Sequence, residues 1–88
     1  MNKKLYVLVD ANLSKSQQGV QAGHALAEYL LRCKTDWENG TLVYLKTYDL
    51  KKYLHLAEAV FREPDLNNHV TAIAALDIGA LVKDLPLV

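Results

Sequence analysis

The chain has few of the residues that cross-link or interrupt a fold: one cysteine, two prolines and four glycines among 88 residues. The single cysteine, Cys33, excludes an internal disulfide and a zinc site built from several thiolates. Such cysteine usage is typical of the cytoplasm, which is the localisation we expect. The apolar run at residues 5–9 is too short for the core of a secretion signal. No run approaches the roughly 20 apolar residues that span a bilayer, so we expect no membrane partner.

An excess of charge of one sign is also missing, because ten lysines and arginines balance ten aspartates and glutamates. A neutral chain has no overall field that attracts a polyanion from a distance, so local donors would have to hold any nucleic acid. The length predicts one domain over residues 1–88. A domain of this size buries only ~60–65% of the surface that its unfolded chain exposes, so a homodimer that adds core is compatible with the size.

The apolar residues predict strands that alternate with helices. Residues 5–9 form a continuous apolar run, which is typical of a strand covered on both faces. Residues 41–46 and 70–76 are rich in strand-forming side chains and are predicted as further strands. A strand, a helix and a strand in succession predict a right-handed parallel crossover. We therefore expect an α/β fold, with three αβα layers around a small mixed, mostly parallel sheet of about four strands.

The first helix is predicted to begin near Lys15, because Ser14 and Gln17 have the spacing of a capping box. The apolar side chains of this helix fall on one side, which is expected to face the sheet. They are Val20, Ala22, Gly23, Leu26, Ala27, Leu30, Leu31 and Cys33. Gln21 falls on the opposite, polar side, and His24 lies at the boundary between the two.

The second helix is predicted to start at an Asp49 cap, because the apolar residues at 50, 53, 54 and 57 keep helical spacing. Residues 59–63 fit either the end of this helix or a short strand, and the sequence leaves both open. Pro64 favours extended backbone at Glu63, so the helix has ended by that residue.

Candidate binding residues lie in the loop between the first strand and the first helix. Free N–H groups at a helix start favour anions, and open α/β sheets bind ligands at the carboxyl ends of their strands. Asn12, Ser14, Lys15 and Ser16 are the candidates there. Since the loop lacks the glycines of a phosphate-binding loop, a well-capped helix with a solvated lysine is the alternative.

Gln21 and His24 could serve one site, because residues three positions apart are neighbours on a helix surface. Histidine titrates near neutral pH and can act as a general base. The alternative is a surface histidine that only forms hydrogen bonds. His55 and His69 have no partner at metal-ligand spacing, so we expect no metal site and no cofactor.

Carboxylates and amides cluster after the ambiguous segment, at Glu63, Asp65, Asn67 and Asn68. One interpretation is a solvated turn. The other requires this loop to lie at the carboxyl end of the sheet, near Lys15 and His24, where a carboxylate could orient an imidazole or an attacking water.

Residues 5–9, followed by a segment that contains Gln21-Ala22-Gly23-His24-Ala25, resemble the second family of peptidyl-tRNA hydrolases, the type found in archaea and eukaryotes. Trp37-Glu38-Asn39-Gly40 and residues 61–65 and 70–74 are similar to later parts of that family. The resemblance covers nearly the whole chain, although residues 21–25 are its one specific match. It implies an α/β enzyme that hydrolyses the ester between a peptide and the terminal ribose of tRNA, without a metal.

By position, the resemblance implies that Gln21 and His24 are the family's helix pair and that Lys15 approximates a loop lysine. It likewise implies that Glu63 is the acidic residue and that Thr71 is the threonine of the last strand. The predicted site residues are catalytic His24, Lys15, Glu63 and Thr71, and substrate-binding Asn12, Ser14, Ser16, Gln21, Asp65 and Asn68.

This chain departs from the family pattern in its loop, which is about two residues shorter and has a single lysine. The Ala-Gly-Arg-Thr stretch that normally follows the acidic residue is also absent. The primary hypothesis is hydrolysis of peptidyl-tRNA at its 3′ end. The alternative is a catalytically silent relative that binds RNA or protein, and a structural oligomer subunit is a third possibility.

Overall fold

A computed structural model of the protein describes residues 3–33 and 37–88. Its strands are β1 (Lys4–Asp10), β2 (Thr41–Thr47), β3 (Ala59–Glu63) and β4 (His69–Leu76). Its helices are α1 (Lys15–Arg32) and α2 (Gly79–Val82), with 3₁₀ segments at Leu50–Leu56 and Pro64–Leu66. The predicted start of α1 is confirmed, since the Ser14 hydroxyl accepts a hydrogen bond from the Gln17 backbone N–H at 3.2 Å.

The four strands form one mixed sheet in the order β2-β1-β4-β3, which confirms the predicted α/β fold. β1 and β2 are parallel, as the strand–helix–strand pattern predicted. The sheet is mixed, as expected: three of its strands run in one direction, and β4, which lies between β1 and β3, is antiparallel to both. Parallel neighbours need a crossover of a dozen or more residues, whereas only five residues join β3 to β4.

The segment predicted as a second α-helix is instead a seven-residue 3₁₀ helix, and Asp49 makes no side-chain cap. The open alternative at residues 59–63 resolves as the strand β3. With β3 taking those residues, little chain remains between β2 and β3. Helices this short have little intrinsic stability, and the tighter 3₁₀ form is common in short pieces.

Different layers cover the two faces of the sheet. On one face, Ala22, Ala25 and Tyr29 of α1 pack in a cluster with β1 side chains such as Val7. On the other face, the core combines strand residues with residues from the first 3₁₀ helix and α2: Leu8, Leu45, Leu50, Ile73 and Val82. Since α2 has only four residues, the three-layer arrangement expected from the sequence is not confirmed. No helix in the described residues has the length and apolar character needed to cross a bilayer.

The face of α1 that contacts the sheet is not the one predicted from its apolar residues. The buried residues are Gln18, Gln21, Ala22, Ala25 and Tyr29. Val20 and Leu30 are each 51% exposed and Leu31 is 82% exposed, so most of the predicted apolar arc lies in solvent. The helix is rotated by roughly a third of a turn from the prediction. Hydrogen bonds offset most of the cost of burying the Gln21 amide, which has a partner for its nitrogen and for its oxygen. For Gln18, Nε2 donates to the Leu13 carbonyl at 2.8 Å, whereas Oε1 is buried without a partner among the described residues.

The orientation of α1 predicts that substitution by leucine lowers the stability at one alanine of the helix and not at another. Ala25 is fully buried and Ala27 is exposed. We expect Ala25→Leu to lower the free energy of unfolding by about 1–3 kcal/mol, because it overpacks the core. Ala27→Leu should change it by less than about 0.5 kcal/mol. Urea denaturation measures both. A larger loss for Ala27→Leu would show that the face predicted from the sequence is the buried one.

Candidate functional site

One end of the sheet gathers the polar residues that the sequence singled out. β1 ends at Asp10 and β3 ends at Glu63, while β4 begins at His69. These three strand termini lie at the same end of the sheet, because β4 runs antiparallel to both of its neighbours. α1 begins just after β1 at this end of the sheet. The loop after Glu63 also lies at the carboxyl end of β1, which is the position required for a carboxylate of this loop to act at the site.

The centre of the site is a buried hydrogen-bonded network that joins three elements. The Thr71 hydroxyl of β4 donates to Gln21 Oε1 of α1 at 2.5 Å. Gln21 Nε2 donates to Glu63 Oε1 of β3 at 3.1 Å and lies 3.4 Å from Gln17 Oε1. Gln21 is 1% exposed and Thr71 is 2% exposed. The network therefore fixes the Glu63 carboxylate beside α1.

An irregularity in the β3–β4 pairing accompanies the placement of Thr71. Phe61 pairs with Ala72, but the next residue, Arg62, pairs with Val70. Thr71 is therefore an extra residue on β4. Such bulges redirect side chains and occur next to active sites. Here the extra residue carries a hydroxyl that reaches Gln21, and the spacing of apolar residues in the sequence gave no sign of it.

His24 lies one turn further along α1 and stacks on Phe61. The two ring centroids are 4.3 Å apart and the ring planes differ by 7°. Phe61 and Glu63 are two positions apart on β3, as side chains on the same face of a strand are, and Gln21 and His24 are neighbours on α1. Stacking therefore holds the exposed imidazole on β3 two residues before Glu63, along the line where α1 crosses β3.

The polar groups of the loop before α1 mostly hold the loop itself. The Asn12 side chain donates to Asp10 Oδ1 at 2.9 Å, and its backbone N–H donates to the same oxygen. Ser14 caps the helix, and its hydroxyl lies 3.4 Å from that of Ser16. Asn12, Ser14 and Ser16 therefore have structural partners, and their substrate-binding role stays a prediction.

Lys15 and His24 lie on different sides of α1. Both side chains are exposed on α1, but they are nine positions apart. Nine residues are two and a half helical turns, which separates the two positions by about 13 Å along the axis and places them on opposite sides. Nothing in this arrangement joins the cation to the imidazole, and a catalytic role of Lys15 stays a prediction. The sequence alone implies this separation, because nine residues at about 100° each rotate the helix by two and a half turns.

The predicted acidic loop forms part of a cleft at the start of α1. The cleft has a volume of about 230 Å³ and is lined by Leu13, Gln17, Glu63, Asp65 and Leu66. It brings the Asp65 and Glu63 positions together. Asn68 points elsewhere: its backbone N–H donates to the Glu63 carbonyl at 2.9 Å, and its side chain lines a different cleft. Among the described residues, no group of three or more histidines, cysteines, aspartates or glutamates is placed to bind a metal ion.

The buried network predicts the effect of two substitutions at Thr71. Thr71→Val removes the hydroxyl and leaves the Gln21 carbonyl oxygen buried without its donor, so the free energy of unfolding should fall by about 1–3 kcal/mol. Thr71→Ser keeps the hydroxyl and should retain most of the stability. Urea denaturation compares them. Equal stability of the valine and serine variants would contradict the hydrogen bond as a stabilising contact.

Comparisons with known proteins add no second line of argument for this site. No family model, no curated protein and no solved structure matches the chain.

Proposed function

We propose that the protein hydrolyses the ester that links a peptide to the 3′-terminal ribose of tRNA, at the line where α1 crosses β3. The main observation in support of this proposal is the hydrogen-bonded network of Gln21, Glu63 and Thr71. The family resemblance selects these three residues by sequence alone, and Glu63 and Thr71 lie 42 and 50 positions after Gln21. Their convergence in one buried network, with His24 one helical turn away, supports the assignment.

The chemistry requires a water molecule to attack the ester carbonyl and a proton to reach the departing ribose oxygen. In the proposal, His24 accepts the proton of the attacking water as the new C–O bond forms. It then gives that proton to the departing ribose oxygen, which becomes a hydroxyl as the ester C–O bond breaks. The Glu63 carboxylate, held by Gln21, orients the imidazole or the water. Gln21 and Thr71 act by positioning Glu63, since both are buried.

We leave Lys15 out of the proposed proton chemistry because it lies on the far side of α1 from His24. This separation favours the second candidate, a catalytically silent relative that binds RNA or protein. A silent relative would bind a partner saturably without turnover. Its RNA complex would weaken steeply as the salt concentration rises, whereas a protein complex would depend less on salt.

We predict that His24→Ala lowers kcat/KM for peptide release by about 10²–10⁴-fold, which is the usual contribution of a general acid–base residue. Glu63→Gln should also lower it, because the amide keeps an oxygen for Gln21 but removes the charge. His55→Ala is the matched control, since His55 is exposed on the 3₁₀ helix away from this site. The measurement is release of a labelled peptide from peptidyl-tRNA.

Two results of this assay would overturn the proposal. The first is that purified wild-type protein releases no peptide. The second is that His24→Ala retains the wild-type rate. Absence of turnover together with salt-sensitive binding of tRNA would instead establish the silent relative.

The homodimer and the cytoplasmic location are part of the proposal. The outer face of α1 supports self-association, because Val20, Ala27, Leu30 and Leu31 are exposed there without a charged side chain among them. Sedimentation equilibrium should then give about twice the 9.9 kDa mass of one chain. A single species at the monomer mass would exclude the dimer.

A further inference from the structure

A second cleft opens at the same end of the sheet, beside the first 3₁₀ helix. It has a volume of about 360 Å³, and its polar lining consists of Lys51, Arg62, Asn67, Asn68 and His69. Leu50, Leu54 and Val70 supply its apolar lining. The polar residues come from the 3₁₀ helix, the end of β3, the following turn and the start of β4, so the fold brings together groups from four segments.

The charge of this cleft differs from that of the chain. It is lined by two cations, a histidine and two amides, and none of its described lining residues is a carboxylate. The chain as a whole has zero formal charge, so this is a local concentration of positive charge. An adjoining cleft shares Lys51 and His69 and contains Asp10 and Asp49. The basic cleft therefore has carboxylates on one flank and its own cations at Lys51 and Arg62.

The donors in the cleft suit a phosphate group. Arg62 Nη1 lies 3.5 Å from the Asn68 carbonyl oxygen, a contact that uses one of the five N–H donors of a guanidinium. Asn67 and Asn68 both have positive φ angles, of 54° and 60°, and form the tight turn that carries their amides. Guanidinium, ammonium and amide N–H groups are the usual protein donors to the phosphate oxygens of nucleic acids.

The position of the cleft relates it to the proposed ester site. Arg62 pairs with Val70, and Val70 packs in the core on the 3₁₀ face of the sheet. The next residue, Glu63, bonds to Gln21 on the α1 face. Successive strand residues point to opposite faces, so the basic cleft and the proposed ester site lie on the two sides of one strand end.

We propose that this cleft binds a backbone phosphate of an RNA strand whose 3′ end reaches the α1 face across the end of the sheet. The choice of RNA as the source of the phosphate rests on the proposed function. Lys51 and Arg62 are the charged contacts, and Asn67, Asn68 and His69 supply further donors. The cleft gives a neutral protein the local cations that binding a polyanion requires.

The test is binding of a fluorescent hairpin with the sequence of a tRNA acceptor stem, ending in a free 3′ strand. We expect Lys51→Ala and Arg62→Gln each to weaken binding about tenfold, as expected for loss of a charged hydrogen bond. Each should also reduce the slope of log Kd against log salt by about 0.7–0.9. Both side chains are exposed, so the variants should fold, and their urea midpoints check this.

Lys52→Ala is the matched control. Lys52 is the next residue, is exposed and carries the same charge, but its ammonium lies 5.7 Å from the centre of the Tyr53 ring and does not line the cleft. We expect it to leave both the affinity and most of the salt slope unchanged. Equal losses for Lys51→Ala and Lys52→Ala would overturn the site, since charge anywhere on the segment would then suffice.

A titration with inorganic phosphate distinguishes a site for free phosphate from a site for the phosphates of an RNA backbone. A titration followed by NMR should shift the backbone amides of Asn67, Asn68 and His69 in the wild-type protein, and less in Lys51→Ala. Binding of inorganic phosphate without binding of the hairpin would overturn RNA as the ligand. Hairpin binding and peptide release are separate measurements. Failure of peptide release would reject the hydrolase and leave the phosphate site standing, whereas loss of hairpin binding would reject the phosphate site alone.

Discussion

The side-chain amide of Gln21 is the contact on which the arrangement of this protein depends. It accepts a hydrogen bond from Thr71 and donates one to Glu63 while almost fully buried. An amide can do both, since it carries an acceptor oxygen and two donor hydrogens. One side chain thereby connects the helix to the last two strands. A buried amide that lost these partners would cost free energy, so the network also selects which face of α1 meets the sheet.

This constraint explains how a neutral chain can present two chemically different surfaces at one end of a sheet. On the α1 face, the network leaves the Glu63 carboxylate beside a cleft, and the His24 imidazole stacks on the same strand two residues before it. On the opposite face, Arg62 and Lys51 contribute to a cleft with no carboxylate among its described lining residues. The alternation of Arg62 and Glu63 along β3 separates the two, so the proposed chemistry and the proposed phosphate contact do not compete for the same atoms.

Much of the fold could be predicted from local patterns, because apolar runs and caps are local signals. Such signals predict the first strand, the start of α1 and the parallel pairing of β1 with β2. The buried face of α1 could not be predicted, since a helical-wheel projection assumes that apolar residues point inward, whereas two glutamines are buried there. Gln21 bonds to Glu63 and Thr71, which are distant in sequence, while Gln18 Nε2 donates to the nearby Leu13 carbonyl. The antiparallel place of β4 and its extra residue are likewise set by tertiary pairing.

The sequence identified several residues of the candidate site but only part of their spatial arrangement. The resemblance selected Gln21, Glu63 and Thr71, and the structure brings these three together. It separates Lys15 from His24, although the helical period already implied that separation. The basic cleft was missed because Lys51, Arg62 and His69 have no recognisable spacing along the chain. Only the meeting of the 3₁₀ helix with the β3–β4 turn places them in one lining.

A double-mutant cycle on Gln21 and Thr71 tests the central claim most directly. The free energy of unfolding would be measured by urea denaturation for Gln21→Ala, Thr71→Ala, the double variant and the wild type. The account predicts a coupling energy of about 0.5–3 kcal/mol between the two positions, as for residues in one buried hydrogen-bonded network. Additive losses, with a coupling energy near zero, would contradict it.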